Sequence, residues 1–399
     1  MRKRVFILVA AITLVFSGQV SAALGRGIEV NGFMSTGTSW TDDSKVIYNS
    51  GITNIPSSDK LTVFGLNFSG NMADRLTFNA ITVIRGREAN PTMRLDTGNI
   101  SYQISDTWTL RAGKLRAPIW LISDYLDVKA VQPWARPPEE FYEAPFDVFT
   151  FDGLSLIKTI PVGRNHIELE AFGGSGKIAV KEKRIEIDGD IRDFVGISGR
   201  YYGRNWQIKG SWSRADIKNH TYWDLTPANT TAYGDPVQNR QAQTIAPSPF
   251  DTSNMQFTSL GVQYDGYFFL WAEYGRLTAG RSRSESVPDW DTKVPSIPVT
   301  FAECNSYYVT PGYYFQNRNY LVHFTYALVD DKKFIGIIDG AHHSYTLGLN
   351  RYFGNSVVVK GDWGQSSPVD YKSGKDGLFN SVKITRPVNF YDVSLNLTF

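Results

Sequence analysis

Along most of this chain apolar and polar residues trade places at every second position, a period that suits strands and not helices. The last stretch is the clearest case: Tyr391, Val393, Leu395, Leu397 and Phe399 alternate with Asp392, Ser394, Asn396 and Thr398. The pattern recurs in Leu76, Phe78 and Ala80 against Thr77 and Asn79, and in Trp206, Ile208 and Trp212 against Gln207, Lys209, Ser211 and Ser213. Tyr320, Val322, Phe324, Tyr326 and Leu328 repeat it. Each such strand has one apolar, aromatic face and one face fit for water. No amphipathic helix of three turns or more breaks the series.

Sixteen runs of this kind begin near residues 28, 61, 75, 93, 108, 148, 166, 191, 206, 254, 267, 303, 319, 341, 355 and 389. Those near 93 and 267 change phase midway, which predicts a bulge or a misplaced strand end. The connections alternate in length. Short turns at 73–74, 105–107, 161–165, 203–205, 265–266, 316–318 and 353–354 separate long segments at 41–60, 86–92, 115–147, 176–190, 218–253, 280–302, 331–340 and 366–388. In an antiparallel array this puts every short connection at one end and every long one at the other. A two-sheet sandwich has no need of that regularity. A transmembrane barrel has it, and closure pairs every backbone donor and acceptor. The fold class is therefore all-β, a transmembrane antiparallel β-barrel of about sixteen strands.

Composition agrees once the two faces are separated. The 399 residues carry a formal charge of +2, a mean hydropathy of −0.25 and 42% hydrophobic residues. That excludes disorder and nucleic-acid binding driven by bulk charge. Beyond the N-terminus no apolar run reaches the roughly 18 residues of a membrane-spanning helix. A window average hides a barrel, because it sums both faces of each strand. Trp108, Tyr202, Trp206, Tyr264, Tyr267 and Tyr352 sit beside the short turns, where an interfacial aromatic girdle belongs.

The N-terminus carries Arg2, Lys3 and Arg4, an apolar run from Val5 to Phe16 and a small-residue site at Val20, Ser21 and Ala22. This pattern predicts an export signal over 1–22 and a barrel over 23–399. Cys304 is the sole cysteine, so no disulfide or metal-type cysteine spacing exists, and it is read as an ordinary strand residue. No cofactor is expected.

The export signal, the sixteen runs, the long third loop and the final strand ending in Phe399 together resemble the Gram-negative outer-membrane porins. The segments Arg111–Pro118, Ser123–Asp127 and Pro133–Pro138 are also similar to porin-type sequences of gammaproteobacteria. The resemblance implies a passive channel, commonly a homotrimer, seated in outer-membrane lipid and lipopolysaccharide and passing ions and small solutes. It also implies that Tyr391, Leu397 and Phe399 form the signal read by the barrel-assembly machinery. By position, the third loop would fold into the lumen and narrow it.

That loop, 116–147, carries six carboxylates against Arg116, Lys129 and Arg136, and is stiffened by Pro118, Pro133, Pro137 and Pro138. Parity turns Glu29, Arg85, Arg111, Glu168, Glu170, Arg200, Lys209, His323, Lys360, Asp362 and Asp392 towards the lumen, since an Arg or Lys facing lipid near midplane costs about 2–4 kcal/mol. The expected constriction sets Asp124, Asp127, Glu139 and Glu140 on the loop against Arg85, Arg111, Arg200 and Lys209 on the wall. Opposed fixed charges of this kind set ion preference.

Four rivals compete with a general diffusion channel. A substrate-specific channel would use lumenal aromatics such as Tyr308 and Tyr314 for sugars, or the basic wall for phosphate and other anions. A barrel enzyme is disfavoured: His166, His220, His323, His342 and His343 lie in no nucleophile motif, and no Gly-x-Ser-x-Gly elbow occurs. His342 and His343, being adjacent on a strand, point to opposite faces. The run Gly173–Lys177 lacks the first glycine of a phosphate loop. A surface or periplasmic β-protein would be soluble. A plugged 22-stranded receptor needs far more chain.

Overall fold

The computed structural model describes residues 27–44, 46, 48, 51–87, 91–142, 150–181, 185–224, 250–278, 282–284, 303–331, 341–369 and 386–399. The strands are β1 (Ile28–Thr41), β2 (Val63–Ala73), β3 (Leu76–Arg85), β4 (Arg94–Ser105), β5 (Trp108–Arg116), β6 (Thr150–Val162), β7 (Asn165–Lys181) and β8 (Ile185–Tyr202). They continue as β9 (Trp206–Asp224), β10 (Phe250–Asp265), β11 (Phe268–Thr278), β12 (Glu303–Phe315), β13 (Tyr320–Asp331), β14 (His342–Phe353), β15 (Val357–Pro368) and β16 (Val388–Thr398). A short piece, Ser282–Ser284, prolongs β11 along β10. Each strand pairs antiparallel with the next, and β16 returns to β1 with Trp40 opposite Tyr391 and Phe33 opposite Thr398. The sheet is therefore a closed sixteen-strand barrel without edges.

Burial is inverted relative to a water-soluble protein. Leu154, Ile197, Leu260, Leu347, Leu349 and Trp363 are exposed, while Ser35, Lys209, Thr310, Asn350, Lys360 and Asn396 are buried. An apolar exterior around a polar interior is what a strand alternating between lipid and lumen must produce. Outward aromatics form two levels six residues apart on neighbouring strands: Trp206 and Trp212, Phe268 and Tyr274, Tyr313 and Tyr307, Tyr320 and Tyr326. At a rise of about 3.3 Å per residue that is ~20 Å along the strand, matching the apolar band of such barrels. Trp108, Trp206 and Tyr267 are exposed in the lower level, and Tyr264 packs at a tilt on Trp206, ring centroids 4.5 Å apart. Tyr202 and Tyr352 do not belong to the girdle. Their parity turns them inward, where the Tyr202 hydroxyl accepts from Arg200 at 2.9 Å and Tyr352 packs on Tyr314.

The two phase changes have different causes. In β4, Ile81 faces Thr97 and Thr82 faces Leu95, so Asp96 is the extra residue of a bulge that turns its carboxylate into the lumen. In β11 the register with both neighbours is unbroken. There the inward Phe269, Trp271 and Leu277 are as apolar as the outward Phe268, Leu270 and Tyr274, because the inward side packs on the long loop. Alternation vanishes without any kink.

The segment expected as a long loop, 176–190, is strand over 176–181 and 185–190. β7, β8 and β9 run for 17, 18 and 19 residues, well beyond the 9–11 that cross a bilayer, and the register continues out to Ile185 and Asp224. Strands outside the membrane need no apolar face, so alternation does not mark this extension. Gly173–Lys177 lies inside β7. At the opposite end Gly163 and Gly354 take positive φ (62° and 67°), as tight hairpins require.

Candidate pore lumen and the segment that crosses it

Leaving β5, the chain from Ala117 to Tyr142 makes its polar contacts with inward-facing side chains, while 143–149 lie outside the described residues. Ile119, Trp120, Leu121 and Ile122 seat against the apolar inner wall of β8–β11, leaving a cavity of about 40 Å³ beside Phe194, Met255 and Phe257. Polar bonds fix the backbone there. The Ile119 carbonyl accepts from Ser211 (2.8 Å) and Ser259 (2.5 Å), the Trp120 carbonyl from Lys209 (2.6 Å), and the Leu121 amide donates to Glu273 (2.7 Å).

The stretch Leu121–Val128 then crosses the lumen. Asp124 pairs with Arg200 on β8 at 3.0 Å, and Asp127 takes a two-pronged bond from Arg85 on β3 at 2.9 and 2.7 Å. Arg85 also donates to Asp96 at 2.6 Å, and Arg116 joins Asp96 as well, so the bulge of β4 completes this cluster. Val128 packs beside Phe33, Val63 and Val83.

Beyond the crossing, the segment covers β12–β16. Lys360 donates to the carbonyls of Lys129, Gln132 (2.6 Å) and Trp134 (2.9 Å), spending all three ammonium protons on the loop. Trp134 donates to Thr310 (3.1 Å) and Thr325 (2.9 Å), Asn350 to the Pro133 carbonyl (2.7 Å), and the Ala135 amide to Asp362 (2.8 Å). Arg136 bonds Asp392 at 3.0 Å and Glu139, with its guanidinium over the rings of Tyr48 and Phe390. Tyr142 returns to Glu273 (2.7 Å) and Tyr308 (2.9 Å).

Two of the expected charge oppositions are present, Asp124 with Arg200 and Asp127 with Arg85. Two are not. Glu139 and Glu140 are 1% exposed and sit on the far wall, Glu139 on Arg136 and Glu140 3.8 Å from His342. Arg111 turns to Glu170 and Ser155 on its own wall, and Lys209 bonds a backbone carbonyl. Of the other inward charges, His323 lies 3.6 Å from Asp362 under the loop, whereas Glu29 is exposed near the turn end of β1. His342 is buried inside and His343 packs outside against Tyr345, as adjacency demands. Tyr308 is covered by the loop, and Tyr314 packs on Phe269 and Tyr352.

Asp96 and Glu273 were missed because each lies in a run whose phase could not be read. Their signal is a carboxylate at a break in alternation. The loop carboxylates differ in charge preference. Burial would push Asp127 up, but Arg85, Arg116 and Lys129 hold it far below the usual carboxylate range. The interior likewise favours the neutral form of Asp124, yet Lys209, Arg200 and Arg111 keep it lowered. Burial wins at Glu140, which is raised despite Ser344 and Arg136.

The uncovered lining lies on β2–β8. Arg111 is 28% and Asp124 51% exposed at their side chains, and Asn67, Asn79, Asn99, Ser101, Glu168 and Tyr202 are half-buried. Among the described residues no cluster of three or more His, Cys, Asp or Glu could hold a metal ion. At the β16–β1 seam, Tyr391 stacks on Trp40 at 5.3 Å, Leu397 faces Met34, and Phe399 exchanges backbone bonds with Gly32. The Phe399 ring occupies the place of a Gly32 side chain, 2.3 Å from where a Cβ would stand.

No family model matches the chain, and no curated protein matches it in sequence. Solved structures do match in fold. Outer-membrane expressed OmpT of Vibrio cholerae superposes with a TM-score of 0.55 at 9% identity, over 94% of this chain and 98% of that one, and OmpT is also known in a trimer form. The anion-selective porin of Comamonas acidovorans gives 0.54 at 11% identity, over 93% and 99%. The outer-membrane channel DcaP of Acinetobacter baumannii gives 0.53 at 9%, over 93% and 97%. The chain has the sixteen-stranded porin fold.

Proposed function

We propose that this barrel is an outer-membrane porin, a water-filled channel for passive diffusion of ions and small hydrophilic solutes. One observation carries the proposal: a stiff loop pinned to opposite walls leaves the polar, half-exposed lining of β2–β8 beside it. Residues 1–22 serve as the export signal and 23–399 as the barrel, with 116–147 as its constriction loop. The chain acts without catalysis and works as a homotrimer in outer-membrane lipid and lipopolysaccharide, inserted by the barrel-assembly machinery through Tyr391, Leu397 and Phe399. The trimer form of the OmpT fold relative supports that assembly.

Within the constriction, Asp124 and Arg111 are the charges that permeating ions meet, with Arg200 paired behind Asp124. Asp127, Arg85, Lys209, Glu139 and Glu140 hold the loop. Single-channel recording of refolded protein in planar bilayers tests this division. Asp124→Asn should move the reversal potential towards anion preference, whereas Asp127→Asn should leave it nearly unchanged while destabilising the loop. Well-folded protein without channels overturns the function, and equal shifts from both variants overturn the division.

A further inference from the structure

The uncharged part of the open lumen carries an inference that rests on the channel reading and narrows it to a solute class. Below the Arg85–Asp96 pair come Val83 and Ile81, packed beside Val128, and beneath these the inward positions of β2–β4 hold amides and hydroxyls, none of them charged. Register sets Ser69, Asn79 and Asn99 side by side across three strands, with Thr77 opposite Ser101. Asn79 donates to the Asn67 side-chain oxygen at 2.7 Å, which fixes both amides. Each Asn offers two donor protons and two acceptor lone pairs, so this bond leaves most of their capacity towards the lumen.

Across the opening stand Arg111, Glu170, Arg200 and Asp124, and these charges are matched to one another, Arg111 to Glu170 and Arg200 to Asp124. An anionic solute therefore finds Arg111 and Arg200 already paired, with Glu168 and Glu29 as further lumenal carboxylates. A neutral solute rich in hydroxyls finds a surface of alternating donors and acceptors with the same dual character as its own groups. Of the two aromatics that could have served such a solute, Tyr308 is 1% exposed beneath the loop and Tyr314 packs on Phe269 and Tyr352. We propose that Asn67, Asn79, Asn99 and Ser101 form a binding subsite for neutral polyhydroxylated solutes, sugars or sugar alcohols, on the wall of the permeation path.

Single-channel current in potassium chloride with raffinose as the probe tests this. A polyethylene glycol of matched size, which offers acceptors but few donors, and gluconate, which adds a charge, serve as comparisons. Raffinose should block the current saturably, with excess noise, while the glycol lowers it in proportion to bulk conductivity. The triple variant N67L/N79L/N99L should raise the half-blocking concentration at least about five-fold at an unchanged reversal potential, as expected from losing several neutral hydrogen bonds. Should that variant fail to fold, Asn79→Ser with Asn67→Ala provides the same comparison with a smaller shift. Raffinose behaving like the glycol, or block that survives in the variants, overturns the subsite and leaves the channel standing. Folded protein that conducts no ions overturns the channel and the subsite with it.

Discussion

The two sides of the lumen are built from the same alternating strands and end in opposite states. On β9–β16 nearly every inward side chain is buried: Lys209, Glu273, Thr325, Asn350, Lys360 and Asp392 are all below 4% exposed. On β2–β8 the corresponding Asn67, Asn99, Arg111 and Glu168 remain half open. The difference arises from one segment, Ala117–Tyr142, which lies on the first wall and crosses to the second at Asp124 and Asp127. Polar character alone thus does not make a pore lining. A buried Lys or Glu on the covered side satisfies a loop carbonyl or amide, and the same residue type on the open side meets solvent.

Removing the covering segment should break the comparison most. Deleting 119–140 should turn β9–β16 into open lining and raise single-channel conductance at least about two-fold, since pore cross-section sets the current. Unchanged conductance would mean that the segment does not obstruct flow. A smaller effect is expected from Arg136→Ala, which leaves Asp392 and Glu139 buried without their cation. Breaking a buried pair costs about 3–5 kcal/mol, so the loop should loosen, seen as protease cleavage within 129–142 and flickering current while the barrel itself stays folded. A barrel that unfolds together with the loop would show that the two are one cooperative unit.

The smallest effect is a pH dependence that separates the two loop anchors. Glu140 has a raised pKa in the folded loop, so its contribution is complete below its ordinary 4.5 and declines as pH rises through the folded value. Asp127 is lowered, so its contribution is present above its ordinary 3.8 and fails only as pH falls through the folded value. Protease protection of the loop should therefore weaken slightly from acid towards neutral pH, and Glu140→Gln should flatten that trend. A wild-type profile without slope would remove Glu140 from the latch.

Much of the barrel was legible in the chain. All sixteen strands start within six residues of where alternation begins, and the bulge at Asp96 was marked by a broken phase. Alternation is legible because it is local: successive side chains must point to opposite faces, whatever the rest of the molecule does. It failed at β11, where both faces are apolar, and at 176–190, where strand continues outside any apolar layer. In the candidate site, Asp124 and Asp127 met their expected partners because each is a loop carboxylate opposite a wall arginine. Glu139 and Glu140 belong to a different wall, and no spacing in the sequence distinguishes one wall from another.

The sequence by itself therefore determined a closed antiparallel barrel with an apolar exterior, a charged interior and one long, proline-stiffened loop. Only the tertiary structure decided which inward charges face water. That outcome depends on the path of the loop after it leaves β5, and the path is set by contacts more than 200 residues away in the chain, such as Arg136 with Asp392 and Lys360 with the Gln132 carbonyl. Periodicity records the face a side chain occupies, and what lies on that face is fixed by packing between distant segments.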